Sequence, residues 1–98
     1  MTLAELNKNH DRPIVVQFHA TWCGPCKILS PKVASMETEF AGRVDVVRVD
    51  VEQDPEFARE AKVRGVPTLI AYRDGIEIRR HVGGMDANGL RTFFQVTA

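Results

Sequence analysis

Charge of either sign is missing in excess: thirteen Lys and Arg stand against thirteen Asp and Glu over 98 residues. No net positive field gathers phosphates or an anionic surface, so neither nucleic acid nor a membrane is expected as a partner. Long apolar runs are missing too. No stretch approaches the ~20 residues of a spanning helix, and "MTLAELNKNHDRP" has no apolar segment behind a basic start, as a signal peptide requires. A cytoplasmic protein is the expectation. Cysteine is scarce, at two residues, which is too few for a disulfide scaffold; in a reducing compartment such a pair tends to be catalytic or redox-sensing. Linkers, repeats and low-complexity segments are absent as well. Residues 1–98 read as a single domain able to bury a modest core.

What is present is alternation of strand and helix patterns. Thr2 with Glu5 has capping-box spacing, so "TLAELNKN" reads as a short helix with Leu3 and Leu6 on its apolar face. "IVVQFHA" has too few polar residues for a half-exposed strand and reads as a buried one. Cys26, Leu29, Val33, Met36 and Phe40 then recur at steps of three and four, the signature of one helical face ending near Gly42. Pro31 lies inside that helix, and a kink is expected there. "RVDVVRVDV" is a second strand, and "DPEFAREAKVRG" reads as a helix entered at Asp54–Pro55 and closed by Gly65. Asp74–Gly75 sets a hairpin between two further strand runs. Asp86 caps a last helix whose Leu90, Phe93 and Phe94 face the core. Strand–helix–strand repeats imply right-handed crossovers and a parallel pair, to which the hairpin adds antiparallel strands. The expected fold class is a small α/β three-layer sandwich, with helices on both faces of a central mixed sheet.

Both cysteines lie in "ATWCGPCKILSPK", where the first buried strand gives way to a helix. Cys23 falls at the helix N-terminus, where unpaired N–H groups and the macrodipole favour a negative charge. Its thiol should ionise readily, and the thiolate is the nucleophile of disulfide exchange. Cys26, a turn further on and facing inward, can attack the mixed disulfide that results. Gly24 permits close approach of a substrate, and Pro25 pre-sets helical φ while giving up a donor that would be unpaired anyway. Trp22 offers an apolar platform for a substrate chain or, equally, a half-buried packing aromatic. Metal binding is disfavoured, since no second cysteine pair exists and His10, His19 and His81 do not reproduce a ligand spacing. Two inert core cysteines are the remaining structural explanation, which Gly-Pro between them at a strand–helix junction argues against.

"WCGPCK" (Trp22 to Lys27) resembles the active-site motif of the thioredoxin family, and the likeness continues in "VDVEQDP", "VRGVPTLIAYRDG" and "HVGG", covering roughly residues 13 to 96. The resemblance implies a cis peptide before Pro67, with Pro67 lying against the cysteines. It implies that Val66 offers its backbone to an extended substrate, and that Gly83 and Gly84 keep the adjoining wall low. Three departures stand out. The family usually opens with an extra strand, whereas only about twenty residues precede Trp22 here, so a four-stranded sheet without that first strand is expected. Gln17 occupies the place of a buried aspartate and cannot titrate; it either changes how Cys26 is activated or simply satisfies a buried polar site. His19 stands where the family has tryptophan, and either adds positive charge near Cys23 or packs as a neutral ring, the preferred reading. Lys27 ends the motif as a further candidate modulator. Arg48 falls where a lysine often accompanies the buried acid, and has no acid to accompany here.

The function implied is reduction of protein disulfides by dithiol–disulfide exchange, with no cofactor beyond the Cys23–Cys26 pair. Disulfide-containing proteins are the expected substrates, a thioredoxin reductase the electron donor, and a monomer the expected state. Alternatives remain: a binding module that uses the same groove, or a disulfide oxidase or isomerase running the chemistry in reverse.

Overall fold

The computed structural model describes Thr2, Glu5, Leu6 and residues 11–98. Thr2 Oγ1 accepts the Glu5 N–H at 3.2 Å, as a cap should; most of the helix expected over "TLAELNKN" lies outside the described residues. From there the chain runs β1 (Ile14–His19), α1 (Gly24–Glu39), β2 (Asp45–Asp50), α2 (Pro55–Glu60), β3 (Thr68–Arg73), β4 (Ile76–Val82) and α3 (Ala87–Thr97). The four strands lie in the order β2-β1-β3-β4. β1 pairs parallel with β2 and antiparallel with β3, and β3 pairs antiparallel with β4.

The central position of β1 explains its composition. Strand neighbours on both sides and helices on both faces leave Ile14 to Phe18 buried, which suits a run of β-branched and aromatic side chains. Its alternation divides two cores. Val15 meets Leu29, Val33, Met36 and Phe40 of the α1 stripe together with Leu90, Phe93 and Phe94 of α3. Ile14, Val16 and Phe18 meet Phe57 and Ala58 of α2 on the other face, where the Phe18 and Phe57 rings pack at 5.5 Å. This is the expected sandwich. α1 continues through Pro31 as one element.

Turn and cap chemistry sets most of the joints. Asp74 (φ 53°) and Gly75 (φ 76°) both take positive φ, the conformation of a two-residue I′ hairpin turn. Asp54 Oδ1 accepts the Phe57 N–H at 3.2 Å and Asp86 Oδ1 the Gly89 N–H at 2.7 Å, so each aspartate caps its helix. One boundary differs from expectation: α2 stops at Glu60, five residues short of Gly65. Lys62 takes φ 60°, its N–H reaches the Arg59 carbonyl at 3.0 Å, and the Val63 N–H reaches that of Ala58 at 2.9 Å. These two bonds form a Schellman stop with lysine where glycine is usual. The glycine in the sequence therefore pointed to the wrong turn.

The hairpin also contains a bulge. Ala71 pairs with Arg79 and Tyr72 with Glu77, leaving Ile78 unpaired. Glu77 and Arg80 thereby come to one face of β4, where the Arg80 guanidinium meets both Glu77 carboxylate oxygens, at 2.9 and 2.7 Å. The same guanidinium donates to the carbonyls of Ala61, at 2.6 Å, and Lys62, at 3.1 Å. Arg80 thus ties the edge strand to the end of α2.

Candidate functional site

β1 ends at His19 and a tight turn follows, in which the Cys23 N–H bonds the Ala20 carbonyl at 3.2 Å. That turn delivers Cys23 to the N-cap of α1, with Gly24 and Pro25 as the first helical residues. Cys23 and Cys26 form a disulfide with a Cα separation of 5.3 Å, and the Cys23 sulfur accepts the Cys26 N–H at 3.2 Å. A donor aimed at Cys23 favours the anionic form of that sulfur once the disulfide opens. Both residues are nearly covered, at 3% and 2% exposure, whereas Trp22 is 68% exposed. The half-buried packing role weighed for Trp22 does not apply, because its ring projects from the surface beside the disulfide.

The opposite side of the site comes from the segment entering β3. The Val66–Pro67 peptide is cis. Pro67 is buried, and Val66 packs with Val51 against the small cluster of Ala20, Cys23 and Cys26. The Gly83 N–H bonds the Pro67 carbonyl at 2.8 Å, with Gly83 at φ +100°, a conformation for which glycine is suited. A Cβ on Gly24 or Gly84 would meet nothing within 4 Å. Neither position needs glycine for internal packing, and each opens onto free space. Two hollows are lined in part by sequence neighbours of the cysteines: one of about 180 Å³ by Trp22, Val51, Val63, Arg64, Gly65 and Val66, and one of about 130 Å³ by Pro25, Ile28, Leu29, Lys32, Gly84 and Met85. A larger pocket of about 360 Å³ lies along β2 and is lined by none of the site residues.

Between β1 and α1 a polar contact runs to the backbone of Cys26 without an acid. Gln17 is fully buried, and its Nε2 donates to Ser30 Oγ at 2.9 Å, whose hydroxyl in turn donates to the Cys26 carbonyl at 2.8 Å. Gln17 Oε1 is the only buried side-chain nitrogen or oxygen without a partner among the described residues. Leaving such an acceptor unpaired costs about 1–3 kcal/mol. The idea that Gln17 merely satisfies a buried polar site is therefore only half met.

The remaining expected residues fall at different distances from the chemistry. His19 is half-buried at the end of β1, and Lys27 is exposed on α1. Arg48 stands beside Gln17 in the β1–β2 register, but its guanidinium is at the surface, 3.0 Å from Glu37. With no buried acid to draw it inward, it pairs with the carboxylate available on α1. Among the described residues no three His, Cys, Asp or Glu side chains are placed to hold a metal ion, and no helix is long and apolar enough to cross a membrane. Sequence reading missed Ser30 and Ile28. Ser30 sits one turn after Cys26, a spacing that places it on the same face; Ile28 carries no such signal, since the buried stripe skips it and leaves it 66% exposed.

The geometry has counterparts elsewhere. The family model described as Thioredoxin matches residues 3–96. Mitochondrial thioredoxin of Mus musculus is 39% identical over 87 residues, which are 89% of this chain and 52% of that protein. The chain thus spans about half the length of that curated relative. The bifunctional thioredoxin reductase/thioredoxin of Mycobacterium leprae is 40% identical over 73 residues, 74% of this chain and 16% of that one. The X-ray structure of Fasciola hepatica thioredoxin superposes with a TM-score of 0.87 at 36% identity, covering 97% of this chain and 89% of that one.

Proposed function

The chain belongs to the thioredoxin family, and from that premise we propose that it is a thiol–disulfide oxidoreductase that reduces disulfides of other proteins. The observation that carries the reading is the Cys23–Cys26 pair across the start of α1, with one sulfur at the N-cap and the other on the inward stripe. In the dithiol form the Cys23 thiolate attacks one sulfur of a substrate disulfide and expels the other as a thiolate. Cys26 loses its proton and attacks the Cys23 sulfur, releasing the second substrate thiolate. Two electrons have then passed to the substrate, and the Cys23–Cys26 disulfide has re-formed. The electrons reside on the cysteine pair itself, so the reaction needs no further group.

The substrate segment lies extended along Val66, whose backbone is bordered by Gly65 and the cis-linked Pro67, with Trp22, Gly24, Pro25 and Gly83 forming the surrounding surface. A thioredoxin reductase returns the electrons; what supports this assignment is the Mycobacterium leprae relative, in which reductase and thioredoxin are one protein. A cytoplasmic location and a monomeric state complete the proposal.

The direct test is Cys26→Ser. That variant should accumulate a mixed disulfide between Cys23 and a protein substrate such as reducible insulin, visible by mass spectrometry, while Cys23→Ser should not. The double serine variant should lose all catalysed reduction. Retained biological activity in the double variant would instead identify a clamp whose redox state is secondary. An equilibrium potential well above that of the glutathione pool would identify an oxidant or isomerase.

A further inference from the structure

β2 is an edge strand whose outer main-chain groups the sheet leaves unpaired. It stands first in the order β2-β1-β3-β4, so β1 borders it on one side only. The N–H groups of Asp45 and Val51 donate to the Pro13 and His19 carbonyls, and main-chain groups alternate in direction along a strand. Asp45, Val47, Val49 and Val51 therefore face β1, while Val44, Val46, Arg48 and Asp50 face outward. Two of the outward groups are already engaged: the Val44 N–H donates to the Phe40 carbonyl at 3.0 Å, and the Asp50 carbonyl accepts from Gln53 and Asp54 at 3.1 and 2.9 Å. The Val44 carbonyl, both groups of Val46, both of Arg48 and the Asp50 N–H have no partner among the described residues. Edge strands are commonly blunted by a bulge, a proline or a lysine. β4, at the opposite edge, has its bulge. β2 keeps an unbroken register and contains neither proline nor lysine, and the hollow of about 360 Å³ beside it is lined by Val44 to Val47 together with Glu37, Ala41 and Gly42.

A strand completes this edge when its own free and engaged groups complement those of β2, and β2 itself does so. Residues directly opposite in an antiparallel pair both face the partner or both face away. Two copies related by a twofold axis therefore place one residue of β2 on that axis, opposite itself. With Val47 there, Val46 lies opposite Arg48 of the second copy, and Val44 opposite its Asp50. Val46 and Arg48 exchange both their bonds, the Asp50 N–H donates to the Val44 carbonyl, and the two engaged groups meet only each other. Every free group of the edge is used. An axis at Val46 leaves the Arg48 carbonyl facing the engaged Val44 N–H, and an axis at Arg48 sets Arg48 against itself. Side chains agree with the register on Val47: Val47 faces Val47, Asp45 faces Val49, and Arg48 faces Val46 of the second copy, in the hollow to which Glu37 brings a carboxylate. No like charges stand directly opposite one another. We propose that the outer edge of β2 pairs with the same edge of a second copy, antiparallel about Val47, so that two four-stranded sheets join into one. A single strand makes a small interface, so the association is weak and the dilute protein is monomeric.

Sedimentation equilibrium of the unaltered protein should give an average mass of 11.0 kDa at micromolar concentration, rising about 1.5-fold by about 1 mM, as a dissociation constant near that concentration requires. Arg48→Pro removes an outward N–H that β1 does not use, a change an edge strand tolerates; it should keep the circular dichroism spectrum and hold the mass at the monomer value. Cross-linking reads the register independently, in chains whose Cys23 and Cys26 are both serine. Val47→Cys sets two thiols across a non-hydrogen-bonded pair with Cα atoms about 4.5 Å apart, within reach of a disulfide, so mild oxidation should give a covalent dimer. Asp45→Cys, whose thiols would lie about 14 Å apart along the strands, should not. A mass that stays at the monomer value up to about 1 mM overturns the proposal and leaves the edge to an extended segment of a different protein. Equal cross-linking of the two cysteine variants, or a dimer that a folded Arg48→Pro retains, overturns it by placing the interface elsewhere. None of these readings depends on disulfide exchange with a substrate, so failure of the proposed function would leave them unchanged.

Discussion

Arg80→Ala would release the edge strand from the end of α2, and its cost can be built from the contacts. The guanidinium and the Glu77 carboxylate form a two-pronged pair whose side chains are 27% and 39% exposed, so solvent screening limits it to about 0.5 kcal/mol. The bonds to the Ala61 and Lys62 carbonyls are charge-assisted but partly wet, and are assigned about 1 kcal/mol or less each. The sum is about 2 kcal/mol, which for a domain of this size lowers Tm by roughly 8–16 °C. Thermal unfolding followed by circular dichroism measures it. Arg80→Lys should recover less than half, because an ammonium cannot bridge a carboxylate and two carbonyls at once.

The pH dependence separates the parts. The hydrogen bond from Arg80 holds the Glu77 carboxyl below its usual value of 4.5. A carboxylate with a depressed folded pKa stabilises above its unfolded value, and that contribution is lost as pH falls through the folded one. The deficit of Arg80→Ala should therefore shrink by about 0.5 kcal/mol as pH falls from neutrality through the lowered folded value of Glu77, and no further, since the carbonyl bonds do not titrate. A deficit below about 0.5 kcal/mol at pH 7, or one that vanishes entirely in acid, would refute the assignment of most of the stabilisation to the α2 carbonyls.

Other substitutions test the joints. Lys62→Gly should raise stability by about 0.5–1 kcal/mol in urea unfolding, because it relieves a positive φ that glycine adopts freely; destabilisation would mean that the lysine side chain contributes contacts outweighing its backbone strain. Asp86→Ala should cost about 1 kcal/mol through loss of the α3 cap, with Asp86→Asn restoring most of it. Tyr72, the only tyrosine, is pushed up to about 12 by burial, with the Glu77 charge adding to the effect. Its ultraviolet titration should lie well above pH 10, and the stability it supports should be complete below the unfolded value near 10 and decline as pH rises toward 12. A midpoint near 10 in the folded protein would show that the ring is accessible to solvent.

Where one physical signal acted alone, the sequence was readable. β1 is apolar without alternation because both its faces and both its edges are covered, and that pattern identified it as a buried strand. The α1 stripe and the Asp74–Gly75 turn were equally direct, and the cysteines could be placed because a strand-to-helix junction puts the first at a helix N-terminus. The end of α2 could not be read, because the left-handed residue there is lysine and the nearest glycine lies three residues further on. Arg48 drew attention through its place in the family pattern, but side-chain direction follows the available partner, and Glu37 provides it. Gln17 was noticed as a substitution; its connection through Ser30 to the Cys26 carbonyl depends on packing between β1 and α1, for which one chain position alone holds no information.

The bulge at Ile78 gives β4 one residue more than β3 needs. Every cross-strand partner from Thr68↔Val82 through Arg73↔Ile76 is set without it, so removing Ile78 would leave the same side chains opposite one another. At most positions in a sheet with buried faces, a one-residue slip would turn core side chains toward water. Here the chain has slack of one residue, at an outer edge and away from the disulfide. The hairpin can vary in length at this point without disturbing the register that carries Pro67 and Gly83 to the site.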